Sequence, residues 1–233
     1  MTGMHALLIS HEEEGRPGQI GRVLAERGIE VQRHVILDGD GQSNVEFPDL
    51  DNFDFVISFG SFHSATDPST APWVDAEVEL IRETFTTETP FLGVCFGGQV
   101  LTKAVGGTIE RSPETEVGAI HIEPTSNSLP IPHGPWFSWH EDRMILPDDV
   151  EVMATTDISV QMFRKGSAVG LQFHPEVDEE LLALWLEMGG KDHLPDTLTA
   201  DDFKRDWKDA QEKAHANAAE LIDWFLHEVV TKK

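Results

Sequence analysis

A single cysteine, Cys95, stands in a chain of 233 residues, so the protein can build no internal disulfide and no zinc site from several thiolates. Basic residues are also scarce: 17 Lys and Arg face 42 Asp and Glu, a formal charge of −25. Such a field repels phosphate backbones and anionic bilayers, which argues against nucleic acid or a membrane surface as partner. The plainest reading of the acidity is solubility. No long hydrophobic run occurs; the apolar stretch Ala6 to Ile9 meets Glu12-Glu13-Glu14 too soon for a signal peptide or a span, and reads as a first strand. No Asn-Xaa-Ser/Thr acceptor is present, and no Gly-x-x-x-x-Gly-Lys-Ser/Thr phosphate loop. These absences point to a cytoplasmic protein with a reduced thiol, and place any ATP-driven chemistry on another polypeptide.

What is present is enough for a substantial core. The chain is 39% apolar and holds 13 Phe and 6 Trp. In the first half short apolar runs alternate with helical patterns, as in a mainly parallel sheet with helices on both faces. Strands are expected at Met4–Ile9, Val31–Leu37, Asp54–Phe59 and Phe91–Val94, with helices at Pro17–Gly28 and from Pro72 to about Thr86. The second half reads as short, antiparallel strands at Gly107–Arg111, Gly118–Glu123, Val150–Ala154, Ser159–Phe163 and Ala168–Phe173. Helices follow at Asp178–Met188 and from about Asp201 to Val229, separated by a loop over Met188–Thr199. In the last helix Trp207, Ala210, Ala214, Leu221, Trp224 and Phe225 recur at core-packing spacing.

Cys95 lies in Gly93-Val94-Cys95-Phe96-Gly97-Gly98-Gln99, between an apolar strand and a helix-like segment, Val100 to Val105. That is the pattern of a nucleophile elbow, a sharp strand-to-helix turn that presents one reactive side chain. Its glycines let strand and helix backbones cross where a Cβ would collide. The helix N-terminus also favours a thiolate. Taken alone, a lone cysteine is as readily a buried structural thiol. A second apolar run ends in Leu171-Gln172-Phe173-His174-Pro175-Glu176. His174 and Glu176, two apart on extended backbone, point to one side, so the carboxylate can orient the imidazole towards a thiol. By itself His-Pro-Glu is equally an ordinary turn. An oxyanion needs two donors. The elbow supplies the N–H of Phe96, and the loop Gly60-Ser61-Phe62-His63-Ser64 after the third strand is the best source of the other.

Together the elbow, the Gly60-to-Ser64 loop and His174-Pro175-Glu176 resemble a class I, triad-type glutamine amidotransferase domain, similar to the amidotransferase part of GMP synthase. The resemblance runs from about residue 4 to 177. It implies a three-layer α/β, flavodoxin-like fold over 1–233 with a small antiparallel sheet and a C-terminal helical extension over about 189–233. It also implies a Cys95–His174–Glu176 triad forming a γ-glutamyl thioester, with no metal and no cofactor. The oxyanion donors would be the backbone N–H groups of Ser61 and Phe96, and Gly60, Gln99, Ser138, Trp139 and His140 would meet the substrate. Glutamine is the implied substrate and a synthetase acting in trans the implied acceptor partner, with the oligomeric state open. Outside the resemblance, Gln99 is as well read as a helix-surface glutamine.

One departure stands out. The family loop usually reads Gly-Gly-Pro where this chain has Gly60-Ser61-Phe62. Serine tolerates a positive φ less well than glycine, and phenylalanine lacks proline's fixed φ, so a less rigid loop is expected. Two further readings stay open: a γ-glutamyl peptidase or amide hydrolase that needs no partner, and a non-catalytic regulatory protein. His140-Glu141-Asp142-Arg143-Met144 begins like a zinc-protease helix but lacks the second histidine. His63, like His140, is placed near the pocket as a substrate contact; the other histidines, His11 among them, have no partner at ligand-like spacing and are given no role.

Overall fold

The alternating runs of the first half fold as parallel strands. In the computed structural model, which describes residues 3–39, 42–126 and 129–231, these are β1 (His5–Ser10), β2 (Glu30–Val35), β3 (Phe55–Ser58) and β4 (Phe91–Val94), with α1 (Gly18–Glu26), α2 (Ala71–Thr87) and α3 (Phe96–Ala104) between and after them. The second half supplies β5 (Thr108–Ile120), β6 (Glu123–Pro124), β7 (Trp136–Ile145), β8 (Glu151–Thr155), β9 (Val160–Lys165) and β10 (Ala168–Leu171), then α4 (Glu179–Glu187) and α5 (Ala200–Phe225). One sheet of eight strands runs β2-β1-β3-β4-β10-β9-β8-β6. Its first five strands are parallel and its last three antiparallel.

Burial explains the sequence patterns. The central strands β3, β4 and β10 are covered on both faces, so every residue in them is buried and their sequences lack alternation. Edge strand β2 is exposed over its first three residues and carries Arg33, whose guanidinium reaches Glu13. Leu7 and Leu8 point to opposite sides of β1 and seed the two main cores. One core joins Leu8, Phe55 and Ile57 to Ile20 and Leu24 of α1 and to Leu221 and Phe225 of α5. The other joins Leu7, Val56 and Phe91 to Val74 and Ile81 of α2 and Val100 of α3.

The second half departs from expectation in three places. The two strands expected at Gly107–Arg111 and Gly118–Glu123 are one long strand, β5, whose register shifts between Arg111 and Glu116. It pairs with β7 alone as a separate antiparallel ribbon. β7 was not expected at all. Within the loop expected over Met188–Thr199, residues Gly190–His193 wind into a 3-10 turn.

The C-terminal helices are woven into the fold. Phe203 and Trp207 of α5 pack with Leu181 and Leu186 of α4 against Phe137 of β7. The far half of α5 then enters the central core and continues as a π-helical turn, Leu226–Val230. Among the described residues no helix is long and apolar enough to cross a membrane.

Candidate active site

Four neighbouring parallel strands, β1, β3, β4 and β10, deliver their following residues to one end of the sheet, where open α/β sheets place ligand sites. There His11 and Glu12 follow β1, Gly60–Ser64 follow β3, Cys95 follows β4, and Gln172–Glu176 follow β10. Of these, Glu12, Gly60–Ser64, Cys95 and His174 open on a cleft of about 590 Å³ whose far wall is β7, with Trp185 of α4 and the turn at Gly190–His193 at its mouth.

Cys95 is the turn residue between β4 and α3, at φ 49° and ψ −102°, a strained backbone for any side chain but glycine. The neighbouring backbones hold it there: its N–H donates to the Leu171 carbonyl at 2.9 Å, and the Gly97 N–H donates to the Phe59 carbonyl at 3.0 Å. A Cβ on Gly97 would strike the Ser58 carbonyl, and one on Gly98 the Leu171 carbonyl, which is why the crossing needs glycines. Cys95 is only 7% exposed.

The His174 Nδ1–H donates to Glu176 Oε1 at 2.7 Å, and the ring also interacts with the Cys95 side chain. Burial works against charge on this ring, but Cys95 and Glu176 together outweigh it and raise the His174 pKa to about 10. The ring therefore favours its charged form in this position. Gln172, to which sequence reasoning assigned nothing, donates from Nε2 to the Cys95 sulfur at 3.5 Å. It stands two residues before His174, and that period-2 spacing was the available signal.

On the opposite side Gly60 lies against His174; a Cβ there would sit 2.8 Å from the ring Cε1. Ser61 corrects the expectation of a strained, loosened loop. It is not among the positive-φ residues. Its hydroxyl donates to Glu12 Oε1 at 2.6 Å and accepts the His63 N–H at 3.1 Å, so the side chain that replaces glycine ties the loop down. Phe62, half-exposed, sets its ring edge-on to Trp185. Among the described residues neither the Ser61 N–H nor the Phe96 N–H has a hydrogen-bond partner, which leaves both available to a ligand.

Gln99, Trp139 and His140 also line the cleft. Ser138 does not: its hydroxyl turns away to the Glu116 carbonyl at 3.3 Å, which corrects its placement against the substrate. His140 has both nitrogens committed, to the Asp142 carbonyl at 2.9 Å and Glu116 Oε2 at 2.8 Å, so it shapes the wall. Glu116 is buried, which opposes ionisation, yet hydrogen bonds from His140, Thr156 and Gln161 outweigh this and lower its pKa. Among the described residues no group of three or more His, Cys, Asp or Glu is arranged to hold a metal ion.

Comparison with known proteins shows the family and the fold. The family model "Glutamine amidotransferase class-I" matches residues 18–182, a span that holds the elbow, the oxyanion-side loop and His174 with Glu176. The GMP synthase [glutamine-hydrolyzing] of Staphylococcus aureus is 40% identical over 96 residues, covering 38% of this chain and 18% of the synthase; the chain thus spans under a fifth of that relative. The crystal structure of a glutamine amidotransferase from Thermotoga maritima superposes with a TM-score of 0.84 at 25% identity, over 97% of this chain and 100% of that one. A second, from Methylobacillus flagellatus, shares the fold at a TM-score of 0.84 and 21% identity, over 98% and 96%. On the strength of the family match, which takes in most of its length, this chain belongs to the class I glutamine amidotransferases.

Proposed function

We propose that the protein hydrolyses the side-chain amide of glutamine through a γ-glutamyl thioester on Cys95 and hands the ammonia to a separate synthetase. The observation that carries this reading is the His174 ring, held by Glu176 and interacting with Cys95. The Cys95 thiolate attacks the amide carbon, and the developing oxyanion takes the Ser61 and Phe96 N–H groups. Collapse expels ammonia with a proton from His174. Water, giving its proton back to His174, then splits the thioester and frees glutamate. Gln99 and Trp139 would flank the substrate. The synthetase partner is supported by the likeness to a glutamine-hydrolysing GMP synthase, and a cytoplasmic setting suits the unpaired thiol.

A second reading, hydrolysis of larger γ-glutamyl amides or peptides without a partner, is favoured by the reach of the cleft from Cys95 to Trp185 and the 190–193 turn. Measuring kcat/KM for glutamine beside a panel of N-substituted γ-glutamyl amides separates the two. Glutamine turnover that rises with a synthetase present supports the first; turnover confined to the substituted amides overturns it.

A further inference from the structure

Behind the oxyanion-side loop lies a buried polar relay that the mechanism above does not use. His11 and Glu77 are both wholly buried. The His11 Nε2–H donates to Glu77 Oε2 at 2.9 Å, and the Ser58 hydroxyl donates to the other oxygen, Oε1, at 2.5 Å. His11 Nδ1 lies 3.1 Å from the Gly60 carbonyl oxygen. Two acceptors therefore face the two ring nitrogens. Against an ionised Glu77, a neutral imidazole, with one N–H, would set a lone pair against one of those oxygens; only the imidazolium donates to both. The rings of Phe96 and Trp73 hold His11 in place, with centroids 4.5 and 5.5 Å away.

The Gly60 carbonyl belongs to the same peptide unit as the Ser61 N–H. That peptide is trans, since the only cis bond among the described residues is Gly134–Pro135. In a trans peptide C=O and N–H point in opposite directions. A carbonyl bound to His11 therefore turns the Ser61 N–H away from the buried relay, on the side of the loop that borders the cleft. We infer that His11, as an imidazolium anchored by Glu77, is a positioning residue that locks the Gly60–Ser61 peptide with its N–H ready for the oxyanion. The lock answers the Ser61-Phe62 departure: a loop without Gly-Pro is held from behind through its carbonyl and from the side through the Ser61 hydroxyl.

The charged and titratable groups around His11 are Glu77 from α2 and its neighbour Glu12, with His63 across Trp73. Burial opposes charge on His11, but Glu77 and then Glu12 outweigh it and raise its pKa. The lock is thus released as pH rises, and at a higher pH than an ordinary imidazole would lose its proton.

The inference rests on the acyl-transfer reading of Cys95, and its test keeps the two apart. Ring-nitrogen NMR of the whole protein should show both His11 nitrogens protonated at neutral pH; a neutral ring overturns the proposal whatever the enzyme turns over. His11→Leu should lower kcat about 100-fold, the size of losing one oxyanion donor, with KM and the rate of Cys95 alkylation by iodoacetamide little changed. His11→Asn, whose amide can still donate to Gly60, should recover most of that loss. Equal loss in both variants, or alkylation falling in step with kcat, would mean a merely structural role. Glu77→Gln should bring in a further fall of kcat at a pH below the limb that His174 sets. If wild type turns over neither glutamine nor a γ-glutamyl anilide, the acyl-transfer reading fails. The lock is then judged by the Ser61 amide resonance, which must shift in His11→Leu and return in His11→Asn.

Discussion

At Cys95 two side chains meet the sulfur, His174 and Gln172, and they do different work. His174 is the proposed proton carrier; Gln172 carries no exchangeable charge and donates an amide N–H, so it steadies negative charge on sulfur. A hydrogen bond to a charged group contributes roughly 1.5–3 kcal/mol, and tenfold in rate corresponds to about 1.4 kcal/mol. Gln172→Leu should therefore slow alkylation of Cys95 by iodoacetamide at neutral pH about tenfold, with kcat/KM for glutamine falling alongside; an unchanged alkylation rate removes Gln172 from the site. The sign of the pH dependence follows from His174. Its pKa is raised to about 10, so its charged form, and the stabilisation that comes with it, is complete below the usual imidazole range and is lost as pH rises through about 10. Activity should hold through neutral pH and fail on that alkaline limb. In Glu176→Gln, which removes one of the two groups that raise the His174 pKa, the limb should appear at lower pH. A limb that does not move denies Glu176 its orienting role.

At the scale of elements, the elbow is a crossing of α3 over β3 and β10, and its glycines are fixed by backbone rather than by side chains. Gly98→Ala would press a methyl on the Leu171 carbonyl, which cannot rotate away. Overpacking of this kind costs about 1–3 kcal/mol, or roughly 2–10 °C in Tm at this size. Calorimetry should show that loss, and an unchanged Tm would mean that the crossing is looser than described. This crossing was legible in the sequence because glycine spacing reports backbone contact directly, and Phe91–Val94 falls where its unbroken apolar run placed it. The β5–β7 ribbon was not. Ser112-Pro113-Glu114-Thr115 reads as a turn, yet it is the irregular stretch inside β5 where the register slips. β7 hides for another reason: its buried positions include Ser138, His140 and Asp142, so the face turned inward is polar and no apolar alternation marks the strand. The same polarity hid His11, whose partners Glu77 and Gly60 lie 66 and 49 residues away in the chain.

For the whole molecule, charge and activity are the properties to test. A formal −25 on 233 residues is self-repelling. Salt near 1 M shortens the Debye length to about 3 Å, so Tm should climb as sodium chloride is raised from low concentration. A falling Tm would mean that surface pairs such as Arg27–Asp223 outweigh the repulsion. The central claim is chemical and has one direct measurement: acid-quench the enzyme during turnover of glutamine, take the intact mass, and map the adduct by peptide sequencing. The account expects one γ-glutamyl group, on Cys95, that accumulates when hydrolysis is slowed and is absent in Cys95→Ala. Ammonia release that persists in Cys95→Ala, with no adduct on wild type, would contradict it.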